Sequence, residues 1–332
     1  LILLKMNLLM RKLVSLLFYS FVVMSFAQSG PLEQAKTQLS QGNFERAEVL
    51  ALGLINHQEY SFEAHQLLGD IYSAQRQWDK ALHYYEVVLE DHPDSAEAHF
   101  KYGGALGMKA LEVNRFKALT YVDDIKEHFE ETVRLDPKHI QGRWALIEFY
   151  LQLPGILGGG SEKAEQQVKA LTEISKIDGL MAKARMALYH EDAPLAEKYY
   201  QEALAASGSL WTYQSLARFY ENQGRPQDAL EVMMSAASVH DESQIDYQIG
   251  KLCVLSKTSF ERGIKALSKF IDQYQNNSGV PLEWGYYRLA QLQRLSGKIN
   301  EAQASIQSAL AFRPDFEEAL AERTKILKLK GV

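Results

Sequence analysis

A pattern recurs along this chain every 34 residues. One copy, Phe62–Ser95, reads FEAHQLLGDIYSAQRQWDKALHYYEVVLEDHPDS and carries Leu68-Gly69, Tyr72, Trp78, Ala81, Tyr84-Tyr85 and Pro93. A second, Glu283–Phe316, has Leu289-Ala290, Gly297, Ala302, Ile306, Ala309-Leu310 and Pro314 at matching offsets. A third, Leu210–Ser243, has Leu216-Ala217, Tyr220, Gly224, Ala229, Met233 and Ala236-Ala237. A fixed period of this size predicts an array of small units, each unable to bury its apolar face alone and each packing on its neighbours.

Within each copy the apolar residues fall at three- and four-residue spacing, which predicts two amphipathic helices of about 14 residues joined by a short turn. Gly42, Gly224 and Gly297 occupy that turn, where a helix C-cap calls for positive φ. Pro93, Pro137 and Pro314 mark the end of the second helix, where a missing N–H does least harm. Small residues at Gly69, Ala217, Gly250 and Ala290, and at Ala47, Ala81, Ala229 and Ala302, let the two helices approach closely.

In this combination of residues the chain resembles the tetratricopeptide-repeat family. The resemblance implies an all-α, right-handed superhelical solenoid of about eight helix-turn-helix repeats: 28–61, 62–95, 96–139, 140–176, 177–209, 210–242, 243–282 and 283–316. Residues 317–332 then form a capping helix with a polar outer face, which such arrays need. Two copies break the period. The third is too long, and 106–124 are expected to lengthen both of its helices, because Ala105, Leu106, Leu111, Phe116, Leu119 and Val122 keep roughly helical spacing. The fourth carries extra residues in its turn, Leu151–Ala164. A long third repeat followed by Pro154-Gly155-Ile156-Leu157-Gly158-Gly159 is similar to a group of exported bacterial tetratricopeptide proteins of unassigned role.

The first 27 residues are of a different kind. Lys5, Arg11 and Lys12 precede the apolar run 13–27, which ends Ser25-Phe26-Ala27. That order describes a secretory signal peptide cleaved after Ala27. The run is shorter than the roughly 20 apolar residues of a spanning helix, so no stable membrane span is expected after cleavage, although an uncleaved anchor is the competing reading. Met6 and Met10 are both plausible starts. The expected location is exported, either periplasmic or secreted. Cys253 is the only cysteine, so no intrachain disulfide can form, and it reads as a small buried apolar residue.

The chain has a formal net charge of −6 and a pI of about 5.9, which argues against general nucleic-acid binding. Gly155 and Gly160 have the spacing of a phosphate-binding loop. Ser161 stands where its lysine belongs, Glu162 would repel phosphate, and the loop follows a helix rather than a strand. A structural turn is expected, with Ser161 as N-cap of the next helix. The nine histidines are scattered without a zinc pattern, and His92, His139 and His240 read as surface or capping residues. No G-x-S-x-G elbow occurs. Neither catalysis nor a cofactor is expected. Asn276-Asn277-Ser278 fits a glycosylation sequon.

The family resemblance implies that ligands are held by the first helix of each repeat, at its second, fifth, ninth, twelfth and thirteenth positions. Those positions give Glu63, Gln66 and Asp70 in the second copy, Trp144 and Glu148 in the fourth, and Arg185 in the fifth. The later copies give Trp211, Gln214, Arg218 and Asn222; Gln244, Tyr247 and Lys251; and Trp284, Tyr287, Gln291 and Arg294. Amides, aromatics and cations together suit an extended peptide or protein partner. The family's two-carboxylate clamp is not expected, because Gln66 and Asp70 occupy its places. The leading expectation is a non-catalytic protein-interaction scaffold in a bacterial envelope. Membrane-anchored adaptor and glycan-binding solenoid are the alternatives.

Overall fold

The computed structural model describes residues 30–275 and 279–331. The signal segment and the sequon lie outside them. All regular structure among the described residues is helical. The described residues divide into two compact units, one ending at Leu135 and the other beginning at Asp136.

The first unit contains α1 (Pro31–Ser40), α2 (Phe44–Leu52), α3 (Ser61–Ala74), α4 (Trp78–Asp91), α5 (Ala96–Glu112), α6 (Arg115–Leu119) and α7 (Val122–Leu135). Helices α1 and α2, α3 and α4, and α5 and α7 form pairs, and each pair packs on the next. The pairs close up where the sequence is small. A Cβ on Gly69 would sit 2.2 Å from Cε1 of Tyr85, so only glycine lets α4 lie that close to α3. The Tyr85 hydroxyl then reaches Asp70 at 2.8 Å.

The insertion corrects one expectation. Its first helix is lengthened, to 17 residues, but its second, α7, has 14 residues, the length of α3 and α4. The chain turns extended at Val113 and Asn114, and the Asn114 side chain accepts from Lys117 N at 3.1 Å to start the five-residue α6. A short amide at that point offers the backbone a local partner and so ends one helix and begins another. Helical apolar spacing across the break concealed it.

The second unit contains α8 (Ile140–Gln152), a 3-10 turn (Gly155–Leu157), α9 (Ser161–Ile174), α10 (Lys176–Tyr189), α11 (Ala193–Ser207), α12 (Leu210–Asn222), α13 (Pro226–Ala236), α14 (Ser243–Ser256), α15 (Phe260–Asp272), α16 (Leu282–Leu295), α17 (Ile299–Phe312) and α18 (Glu317–Lys330). Pairs again follow chain order, and α18 closes the array against α17 and α16 through buried Ala319 and Ile326, with Phe316 buried just before it. The all-α architecture of paired helices predicted from the period is therefore what the chain adopts. Gly42, Gly224 and Gly297 all have positive φ, as their turn positions require. Cys253 is fully buried, and burial pushes its thiol up to about 11.

The glycine-rich loop is a structural turn. Its N–H groups are spent internally: Gly158 on Gly155 O, Gly159 on Pro154 O and Gly160 on Tyr150 O. They do not converge on an open anion site. A Cβ on Gly159 would fall 1.8 Å from Leu153 O, which explains the glycine. Ser161 is the first residue of α9 rather than its cap. The cap position is Gly160, at φ 145°, and no side chain bonds there.

One interaction in the first unit was not foreseen. His99 on α5 and His128 on α7 meet Nδ1 to Nδ1 at 2.9 Å, and Tyr102 lies 4.4 Å from the His128 ring. One nitrogen must donate and the other accept, so the pair holds only while one ring is neutral at that atom. Burial, reinforced by His99, lowers His128 to about 4 from an ordinary 6.5, against the pull of Asp124 and Glu131. The unfolded chain thus binds this proton more tightly than the folded one. The stabilisation is complete above about pH 6.5 and is lost as pH falls towards 4. Thermal unfolding followed by circular dichroism should show a lower Tm at about pH 4.5 than at 7. His128→Phe should flatten that slope, and an unchanged slope would reassign the effect to other groups.

Candidate functional site

The predicted binding residues of the second unit all lie on the first helices of its pairs: α8, α10, α12, α14 and α16. Successive first helices are linked by charged and polar side chains, and those links take up Trp144, Arg185, Lys251 and Arg294 among the predicted residues.

Trp144 on α8 donates from its indole nitrogen to Asp178 on α10 at 2.9 Å. One turn on, Glu148 receives Arg185 in a two-bond fork at 2.8 and 3.0 Å. Lys251 on α14 pairs with Glu221 on α12 at 2.7 Å. Arg294 on α16 pairs with Glu322 on α18. The same device occurs in the first unit, where Lys101 bonds both oxygens of Asp70 at 2.8 and 2.7 Å. Arg185, Lys251 and Arg294 thus neutralise a neighbouring helix's carboxylate.

The aromatic residues divide similarly. Tyr247 and Tyr287 are buried. Tyr247 lies 5.4 Å from the Phe270 ring, and the Tyr287 hydroxyl accepts from Gln291 at 2.9 Å. Burial raises both phenols above their ordinary range. Trp284 is half-buried, edge-on to Phe316 at 4.6 Å. Arg288, which the carried-over positions skip, lies over Tyr287 at 5.1 Å and Trp284 at 5.8 Å, and donates to Gln291 at 2.9 Å. Its place one turn after Trp284 was the available signal.

Four predicted residues are left: Trp211, Gln214, Arg218 and Asn222. Spacings of three and four put them on one face of α12. Trp211 is 44 % exposed, Arg218 and Asn222 are exposed, and Gln214 is half-buried. The opposite face, with Leu216, Ala217, Phe219 and Tyr220, is core. Arg218 forms no ion pair with any described residue, in contrast to Arg185, Lys251 and Arg294. Helix α12 begins cleanly because Gly208 ends α11 in the left-handed region and Ser209 caps Thr212 N. The exposed indole therefore sits on the first turn of a fixed helix.

A cleft of about 810 Å³ lies between α9, α10 and α11, lined by Glu162, Glu165, Lys169, Lys183, Met186 and Leu195 among others. No predicted residue lines it. No group of three or more His, Cys, Asp or Glu among the described residues could hold a metal ion. No helix among them is long and apolar enough to cross a membrane.

Two family profiles, each described as tetratricopeptide repeat, match residues 62–105 and 285–316. The chain carries tetratricopeptide repeats. No curated protein matches it. Many solved structures are similar, three of them as follows. A tetratricopeptide repeat protein from Parabacteroides merdae is 15 % identical, with 79 % of this chain and 97 % of that one covered and a TM-score of 0.49. The Cut9–Hcn1 hetero-tetramer of APC/C gives 13 % identity, 91 % and 56 % coverage, and 0.47. TTC0263, a thermophilic TPR protein of Thermus thermophilus, gives 16 %, 59 % and 98 %, and 0.48.

The repeat-to-repeat pairs make a testable distinction. Glu322 has no solvent-exposed side-chain surface. Removing Arg294 leaves its carboxylate buried with only Lys325, at 3.1 Å. Arg294→Ala should therefore cost about 3 kcal/mol in urea unfolding. Lys251→Ala, at a pair that retains some exposure, should cost about 1 kcal/mol or less. A loss below that level for Arg294→Ala would show that its pairing is not structural.

Proposed function

We propose that this protein is a non-catalytic interaction module that holds an extended segment of a protein partner on the exposed face of α12. What carries the reading is the division just described: the neighbouring predicted cations are paired to carboxylates, while Trp211, Gln214, Arg218 and Asn222 share one open face. Each has a distinct use. Trp211 packs an apolar side chain of the partner, and large rigid aromatics of this kind concentrate binding energy. Gln214 and Asn222 both donate and accept, as a peptide backbone requires. Arg218 pairs with a carboxylate, with two bonds available from its guanidinium. An acidic residue near an aromatic or aliphatic one is the chemistry that fits.

A screen of immobilised peptides with the wild-type chain should return such sequences. Trp211→Ala with Arg218→Glu should weaken the hits by about 30-fold or more, with no loss of thermal stability, since neither side chain is core. Equal binding by the two proteins would remove α12 as the site.

The protein is exported to a bacterial envelope in this reading, and the basic-then-apolar residues 1–27 support it. Mass spectrometry of the mature N terminus should find Gln28 first. An intact N-terminal segment would favour the anchored adaptor instead.

A further inference from the structure

We infer that the excursion at α6 is a docking surface for an anionic lipid interface. It lies in the first unit and is independent of the α12 face. Four large apolar side chains are exposed within twelve residues: Met108 at 45 %, Leu111 at 78 %, Phe116 at 86 % and Leu119 at 48 %. Helical stacking does not account for them, because the α5–α7 pair buries its own set, including Ala105, Leu106, Ile125 and Phe129. The break at Val113-Asn114 instead turns the inserted residues into an exposed tip.

Charge at the tip selects the occupant. Arg115 and Lys117 flank Phe116, both are exposed, and neither forms an ion pair with a described residue. The nearby acids are engaged: Glu112 accepts two bonds from Arg76 at 3.0 and 2.8 Å, and Asp79 accepts from Lys109 at 2.5 Å. Asp123 and Asp124 follow on α7, the former 3.5 Å from Lys126. A chain of net charge −6 therefore presents two exposed cations around its exposed phenylalanine, Lys117 also acting on the Asp79 carboxyl from beyond ion-pair distance. Side chains as bare as Phe116 and Leu111 project; they do not line a groove. A protein partner would need a matching hole for each, whereas the headgroup layer of a bilayer opens around an apolar side chain wherever it enters. Flanking cations remain among the headgroups and favour anionic lipid.

The test places a reporter at the tip of the full chain. Thr120 is exposed, and the one native thiol, Cys253, is buried, so Thr120→Cys can be labelled selectively with an environment-sensitive fluorophore. Vesicles of phosphatidylcholine with about 30 % phosphatidylglycerol should shift its emission to the blue, with apparent affinity about tenfold or more above that for phosphatidylcholine alone. Arg115→Glu with Lys117→Glu should weaken the response at least about tenfold. Leu111→Ser with Phe116→Ser should abolish it, with melting unchanged in both. A label that reports from residue 120 separates tip insertion from attachment through residues 13–27 in any chain that keeps them. No shift with anionic vesicles, or an equal shift in the charge-reversed variant, would overturn the proposal. So would a shift that appears without lipid as protein concentration rises, which would assign the tip to a second copy of the chain.

Discussion

Close approach of helices at small residues is the constraint on which the fold depends. A Cβ at Gly69 would meet the Tyr85 ring at 2.2 Å, and one at Gly250 would meet Leu267 Cγ at 2.2 Å. In both cases a large side chain of the second helix lies directly over a glycine of the first. The contact brings two amphipathic faces within packing distance and removes their apolar surface from water. Each pair then offers its remaining apolar surface to the next pair. Such contacts repeat because each unit solves the same burial problem with its neighbours.

Stacking in turn places first helices beside one another and creates an electrostatic problem. Charged residues on adjacent first helices face partly covered surroundings, where an unpaired ion costs more than it would in water. Pairing across the junction resolves it at Asp70–Lys101, Glu148–Arg185, Glu221–Lys251 and Arg294–Glu322. The outcome fixes what is left for binding. Arg185 and Arg218 occupy comparable places on neighbouring first helices, and both act on Tyr200, where each favours the ionised phenol while burial opposes it more strongly. Glu148 engages Arg185, whereas Arg218 has no such partner among the described residues. Sequence pattern alone made the two equivalent; pairing distinguishes them.

The fold was legible in the sequence to the extent that its causes are local. Periodic apolar positions gave the helices, turn glycines gave their ends, and the lone cysteine read correctly as core. The ionic links were not legible, because they do not keep the repeat spacing. Glu148–Arg185 joins matching positions of successive repeats across 37 residues, whereas Lys101–Asp70 spans 31 and Arg294–Glu322 spans 28, so no single offset finds the partners. The break at Val113-Asn114 was missed for a related reason. Apolar spacing reports which residues share a face, but a side-chain cap can end a helix without disturbing that spacing. Tyr247 and Tyr287 were placed on a binding face because aromatic groups suit either a ligand or a core, and only the packing separates the two uses.

The two departures from the period are physically opposite. Residues 157–160 close on their own loop: their N–H groups are taken by Pro154, Gly155 and Tyr150 carbonyls, and Lys163 donates to Gly158 O at 3.0 Å. A turn so satisfied has little polar capacity to offer a ligand, even though Ile156 stands 93 % exposed beside it. Residues 108–119 turn outward: their acid is bound by Arg76, Lys109 is held by Asp79, Arg115 and Lys117 form no ion pair with a described residue, and their apolar side chains are left in water. Exposed apolar surface of that kind gains free energy when covered, in proportion to its area. The asymmetry matters because extra length alone does not create a binding element. An insertion acquires that capacity only where the fold leaves its side chains unsatisfied, and here several apolar side chains and two cations meet that condition at the α6 tip, against Ile156 alone in the glycine-rich turn.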